Sequence, residues 1–295
     1  MLDIDKRLLQ HIDYACPMID IYSEIRKRYG NIRRARGYYL YTEKNIRLFD
    51  LWLDGGKAVL GRKTGQANLV CKQFLDRGLT GFVPTKADDQ LLYALKALLP
   101  EYSVIRWYDT EDKAERIIRA LLHKDETQDI PVWRPFLEDT EYHRIALITP
   151  AYPVSCGIIA ADRTFEELLP LSDRLFPPLV YSLARAFFDI RRKIDETVAA
   201  SNADVGGKSE KKSVPMSKKR YALLKRREAV VRLIPIIWER KSCYLFPRIP
   251  KAEYAALFFE ALDAHILISP EYGKPSILPD CESYAELIRF LQARS

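Results

Sequence analysis

A chain of 295 residues, 48% hydrophobic and 29% charged, has the composition of a soluble globular protein with room for one large or two ordinary domains. Apolar runs such as Ile145–Ile148 and Leu179–Tyr181 are far too short to cross a bilayer. The N-terminal residues Met1 to Lys6 lack the basic start and apolar stretch of a secretory signal, so a cytoplasmic location is expected. The net charge of +7 is unevenly placed: residues 191–232 hold 13 Lys or Arg against 5 Asp or Glu, and the rest of the chain is nearly neutral. A charge concentrated in this way attracts anionic partners or simply solvates a linker.

Five scattered cysteines (Cys16, Cys71, Cys156, Cys243, Cys281) include no Cys-x-x-Cys pair, and four dispersed histidines show no helical metal-binding spacing. The cysteines read as buried thiols, and no metal site is expected.

Residues 1–29 read as helical around an interruption at Pro17. Gly37–Tyr41 and Ile46–Trp52 form two expected strands joined by a turn over Thr42–Asn45, and Gly55, Gly56 and Gly61 mark tight reversals on either side of Lys57–Leu60. Helical patterns follow at 66–77, 87–99 and 111–122, with a β-branched and aromatic strand, Tyr102–Tyr108, between the last two. This alternation predicts an α/β layer. Residues 123–143 lack a period and read mostly as loop; Ile145–Ile148 and Gly157–Ala160 read as short strands. Leu179 to about Ala199 has one apolar face (Leu183, Phe187, Ile194) and a start signal in Pro177-Pro178. A flexible basic loop over 201–216, a helix over about 217–232, an amphipathic helix over Lys251–His265, a strand at Ile266–Ile268 and a terminal helix over Cys281–Ala293 complete the chain.

Two stretches carry a family likeness. Ala35-Arg36-Gly37-Tyr38-Tyr39-Leu40-Tyr41 through Leu60-Gly61 resembles the hairpin "G-x-x-L-Y-D … R-x-x-D" that opens the class III aminotransferases, which are fold type I pyridoxal phosphate enzymes. Tyr254–Leu262 is similar to their "Y-x-x-L-F-x-x-x-L" helix, and Ile266–Pro279 to the strand and "S-P-x-x-x-x-P" segment that close their small domain. The resemblance implies an α/β chain of reduced fold type I architecture: a small α+β domain from both chain ends and a truncated α/β large domain. The expected divisions are 1–60, 61–178 and 179–295. It also implies a homodimer, or pairing with a full-length relative.

Pyridoxal phosphate chemistry requires a Schiff-base lysine, an acid at the pyridine nitrogen and a helix start rich in small residues for the phosphate. The stretch Asp109-Thr110-Glu111-Asp112-Lys113-Ala114 stands where the resemblance places "N-S-G-[ST]-E-A". Thr110 replaces the serine and is the one candidate cofactor contact. Glu111 and Asp112 stand where the family has glycine and a small hydroxyl residue; carboxylates suit a helix N-terminus and repel a phosphate dianion. The lysines between this stretch and Ile145, Lys113 and Lys124, lack the family's context, and neither Asp125 nor Asp129 is assignable to the pyridine nitrogen.

The leading expectation is therefore an aminotransferase-like protein without cofactor or catalytic residues, acting as a binding or assembly partner. One alternative is a minimal pyridoxal-phosphate-dependent aminotransferase moving an amino group to an aldehyde or keto acid. Another is a binder of nucleic acid or an anionic surface through Lys211, Lys212, Lys218, Lys219 and Arg220, a segment whose only interleaved aromatic is Tyr221.

Overall fold

The computed structural model describes residues 19–62, 65–81, 83–125, 127–137, 142–205, 227–281 and 283–294. Helix α1 spans Ile21–Tyr29; the Asp20 carboxylate accepts from the Ser23 backbone N–H at 3.2 Å, closing its start, and Gly30 at φ 73° ends it. Residues 1–18, read as helical in the sequence, lie outside the described residues. Strands β1 (Ile32–Arg36), β2 (Tyr39–Thr42) and β3 (Arg47–Asp50) follow as an antiparallel meander, with the expected turn at 42–45.

Helices α2 (Ala67–Asp76) and α3 (Ala87–Leu98), strand β4 (Val104–Tyr108) and helix α4 (Glu111–Leu122) lie close to their sequence-read positions. Within the stretch read mostly as loop, Val132–Trp133 forms a two-residue strand, β5. Strands β6 (Ile145–Ile148) and β7 (Gly157–Ala161) precede a long helix, α5, over Pro177–Val205. That helix runs through 201–205, where the sequence predicts the start of a flexible loop because Ser201 and Asn202 are poor helix formers. The remainder of that loop, 206–216, lies outside the described residues. Helix α6 is described over 227–233, the C-terminal part of the helix expected at 217–232.

Strands β8 (Trp238–Lys241) and β9 (Tyr244–Pro247) form a hairpin that the sequence did not signal. Helix α7 (Tyr254–Asp263), strand β10 (Ile266–Leu267), strand β11 (Ser276–Ile277) and helix α8 (Ala285–Gln292) close the chain.

The two chain ends share one core. Strand β10 adds parallel to β3, giving the sheet order β1-β2-β3-β10. Phe49, Trp238, Tyr254, Phe258 and Leu287 pack together around it. The middle of the chain builds a second sheet, β4-β7-β6-β5, in which β7 runs antiparallel to both neighbours and β5 and β6 are parallel. Both faces of that sheet are covered, which explains its uninterrupted apolar strands. Ile105, Trp107, Ile148 and Ile158 face α3 and α5; Val104, Tyr108, Leu147 and Ile159 face α4. Cys156 is buried as expected of a thiol, whereas Cys71, Cys243 and Cys281 are only half-buried, and Cys16 lies outside the described residues.

Candidate functional site

The start of α4 is where the two halves of the molecule meet. Strand β4 ends at Tyr108, and Thr110 takes an extended conformation (φ −134°, ψ 152°) as the helix cap. Its Oγ1 accepts from the Lys113 backbone N–H at 3.2 Å, so this hydroxyl serves the helix itself. The helix is seated directly on β7. A Cβ built on Gly157 would lie 2.5 Å from the Thr110 carbonyl oxygen, 2.5 Å from the Ala114 Cβ and 3.0 Å from the Glu111 Cα.

Opposite this helix start, the turn after β3 delivers Lys57. Leu53, Asp54, Gly55 and Gly56 all adopt left-handed backbone, a run that reverses the chain sharply. Asp50, fully buried, holds the turn: it accepts from the Leu53 N–H at 2.8 Å and from Arg62 Nε at 2.9 Å. Burial pushes the Asp50 carboxyl above its ordinary pKa, and the Arg62 guanidinium opposes that shift. The Lys57 ammonium meets the Glu111 carboxylate at 2.9 Å.

Two further charges come from the other elements. Lys274, in the segment between β10 and β11, pairs with Glu271 at 3.2 Å. Burial lowers its ammonium pKa, but Glu271, Glu111 and Glu115 together outweigh this and hold the group above its usual value. Burial raises the Glu115 carboxyl, with Lys274 opposing. The neighbouring Cys156 thiol is pushed up to about 12 by burial, so it is no thiolate at neutral pH.

The candidate lysines do not converge on a reacting position. Lys113 Nζ donates to both carboxylate oxygens of Asp173 at 2.8 and 2.6 Å, and that hydrogen bond raises its pKa, the opposite of what an amine nucleophile needs. Lys124 lies just beyond the far end of α4, about 18 Å along a twelve-residue helix, and its ammonium donates to the Asp129 carbonyl. Asp125 accepts from the Thr127 N–H and hydroxyl, closing a surface turn. Asp162 caps a short 3-10 turn, accepting from the Thr164 N–H. Lys211, Lys212, Lys218, Lys219 and Arg220 lie outside the described residues.

A cavity of about 310 Å³ lies beside the turn, lined in part by Lys57, Arg62, Asn68, Tyr152 and Asp189. Its polar groups satisfy one another. The Tyr152 hydroxyl donates to Asn68 Oδ1 at 2.6 Å, and the buried Asp189 accepts from Arg185 at 3.1 Å and from the Gln66 N–H at 3.2 Å. Sequence reading missed Lys57, Lys274 and Asp189; the glycines flanking Lys57 were the available signal, since only a sharp reversal needs them there.

At α4, then, the phosphate of a cofactor would meet a helix start whose hydroxyl is committed to capping and whose first residue is a carboxylate. These groups do not suit a phosphate dianion. The surrounding fold nevertheless has known counterparts. An ornithine aminotransferase of Plasmodium yoelii superposes with a TM-score of 0.57 at 10% identity, covering 93% of this chain and 99% of that one. An omega-transaminase of Sphaerobacter thermophilus superposes with a TM-score of 0.55 at 10% identity, covering 95% and 98%. The architecture is thus that of a fold type I aminotransferase in reduced form, with a small α+β domain from both chain ends and a truncated α/β large domain.

The sequence is 35% identical over 292 residues to an uncharacterized protein of Treponema pallidum (strain Nichols), covering 91% of this chain and 95% of the relative. The chain belongs to the same family as that protein. It is also 24% identical over 266 residues to an uncharacterized protein of Borreliella burgdorferi, covering 88% of each. No family model matches the chain.

Proposed function

We propose that this aminotransferase-fold protein has lost pyridoxal phosphate catalysis and acts as a non-catalytic binding or assembly partner. The observation that carries the reading is the Lys57–Glu111 pair at the start of α4, which puts the chain's own carboxylate where an anionic cofactor group would be held. The pairing of Lys113 with Asp173 supports it, because it leaves that amine protonated.

Assembly is expected as a homodimer or with a full-length relative. Helix α2 favours such a contact, since Ala67 is its one buried residue while Leu69 and Leu75 stand exposed. No described helix is long and apolar enough to cross a membrane.

The test is the visible spectrum of the purified protein incubated with pyridoxal phosphate, followed by borohydride reduction and peptide mapping. A colourless protein with no specific adduct is expected. A retained yellow band and a single modified lysine would restore the alternative reading, a minimal aminotransferase.

A further inference from the structure

Another cavity, of about 270 Å³, opens between the second half of α5, the β8–β9 turn and the residues that follow β11. No residue of β4 or α4 lines it, so it stands apart from the helix start described above. Backbone pairing fixes its shape. The Leu278 N–H donates to the Cys243 carbonyl at 2.7 Å, which lays Leu278–Asp280 along the turn. The Tyr244 hydroxyl donates to the Pro135 carbonyl at 2.9 Å, which brings Phe136 alongside. Val59, Leu60, Phe136, Ile277 and Leu278 give the cavity an apolar wall.

The charged groups in its lining are three cations and one carboxylate: Lys193 from α5, Arg227 from α6, Arg240 from β8, and Asp280. The balance is two positive charges. Lys193 meets Glu196 only at 3.8 Å, with both side chains more than half exposed. Arg240 donates to the Ser242 carbonyl at 3.0 Å, and Arg227 makes no ion pair among the described residues. Tyr38 adds a donor. Burial pushes its phenol up to about 12, so it keeps its proton at neutral pH, and its hydroxyl makes no hydrogen bond among the described residues. Arg240 and Arg227 both act on the Cys243 thiol, and Asp280 and Cys243 both act on the Tyr38 phenol, so these groups converge around Cys243.

Such a lining selects its occupant. An inorganic ion would leave the apolar wall uncovered, and a neutral apolar molecule would leave the cations and the phenol unpaired. A monocarboxylate matches half of the charge. A phosphate monoester carries about −1.5 to −2 charges near neutral pH and offers acceptor oxygens that suit guanidinium forks and a phenol donor. The chain's own residues 206–226, which lead into Arg227, hold eight Lys or Arg against Glu210 and so carry the wrong charge to occupy it. The volume lies just under the roughly 300–1,000 Å³ of pockets for drug-sized ligands, which limits the ester to one small ring or a short chain.

We propose that this cavity is a binding site for a small phosphate monoester with an apolar body. Arg227, Arg240 and Lys193 would hold the phosphate together with the Tyr38 hydroxyl, and Phe136 and Leu278 would cover the body. This goes beyond the reading of the chain as a non-catalytic partner and does not depend on it.

The test titrates the full chain, without pyridoxal phosphate, with phenyl phosphate by calorimetry. Benzoate, phenol and a single-stranded oligonucleotide are the comparisons. Phenyl phosphate has no aldehyde and forms no Schiff base, so its binding reads this cavity and not the cofactor question. Saturable one-to-one binding is expected. Arg227→Glu should weaken it about tenfold or more, whereas Arg163→Glu, the same change in net charge on the 3-10 turn after β7, should leave it unchanged. Removing only the hydroxyl in Tyr38→Phe should cost about tenfold. In the parent chain, phenyl phosphate should also slow alkylation of Cys243 and leave that of Cys71 unaltered, read by peptide mass, a result that needs no variant to fold.

Binding of benzoate or phenol as tight as that of phenyl phosphate would overturn the proposal. So would equal losses in Arg227→Glu and Arg163→Glu, or a Cys243 that phenyl phosphate leaves unprotected. Tighter binding of the oligonucleotide through Arg227 would assign the cations to a nucleic acid and overturn it too. A yellow adduct with intact phenyl phosphate binding would defeat only the non-catalytic reading, and a colourless protein that ignores phenyl phosphate would defeat only this one.

Discussion

Adding one methyl group at Gly157 tests how tightly the helix start is seated. In Gly157→Ala the new Cβ would fall 2.5 Å from both the Thr110 carbonyl oxygen and the Ala114 Cβ, well inside van der Waals contact. Neither neighbour is the far end of a flexible side chain. The first is backbone, and the second is a methyl fixed to the helix, so α4 must lift or β7 must shift. Overpacking of this kind costs about 1–3 kcal/mol. For a chain of this length each kcal/mol corresponds to roughly 1–2 °C in melting temperature. Gly157→Ala should therefore melt about 1–6 °C below the parent chain, with a matching fall in the urea midpoint and little change in its slope. Lifting α4 would also draw Glu111 away from Lys57. Equal stability of variant and parent would refute the close seating of this helix, and with it the case that no cradle for an anion exists there.

Two other measurements probe the charges. In a double-mutant cycle of Lys57→Met and Glu111→Gln, a coupling of about 1 kcal/mol is expected in urea unfolding, at the upper end of the range of exposed pairs because both side chains are largely covered; zero coupling would deny the pair. Asp173 is held below its ordinary carboxyl value of 3.8 chiefly by the Lys113 hydrogen bond, so its contribution is present above that pH and is lost as pH falls through the folded-state value. Asp173→Asn should accordingly be destabilised at pH 6 and converge on the parent as the solution is acidified below 3.8; a constant difference across that range would contradict the pairing.

Much of the fold could be read from periodicity, because its helices carry one clear apolar face and its central strands are buried on both sides. Glu111–Leu122 matches its expected span, helped by a capping threonine followed by acids. Strand β1 was missed because Ile-Arg-Arg-Ala-Arg has no alternation to detect; its pairing with β2 comes from the meander, not from its own pattern. The β8–β9 hairpin escaped for a similar reason, with Glu239, Arg240 and Lys241 exposed on one strand. The acidic character of the α4 start was legible, and the use of Thr110 as a cap agrees with it. The identity of Glu111's partner was not, since Lys57 lies 54 positions earlier and only the left-handed run at 53–56 brings it across.

That partnership changes how the two halves are joined. In an enzyme of this architecture a bound anion at the helix start would itself supply charge at the junction. Here the junction is filled from within: Lys57 arrives from one chain end, Lys274 from the other, and Glu111 and Glu115 project from the middle. The charges alternate in sign across three segments that are remote in sequence, and each is at least partly withdrawn from water, where opposite charges count for more than on an open surface. The buried Asp50–Arg62 pair fixes the turn that carries Lys57, so the clasp stands on a rigid support. The clasp thus ties both chain ends to the middle of the chain through paired charges.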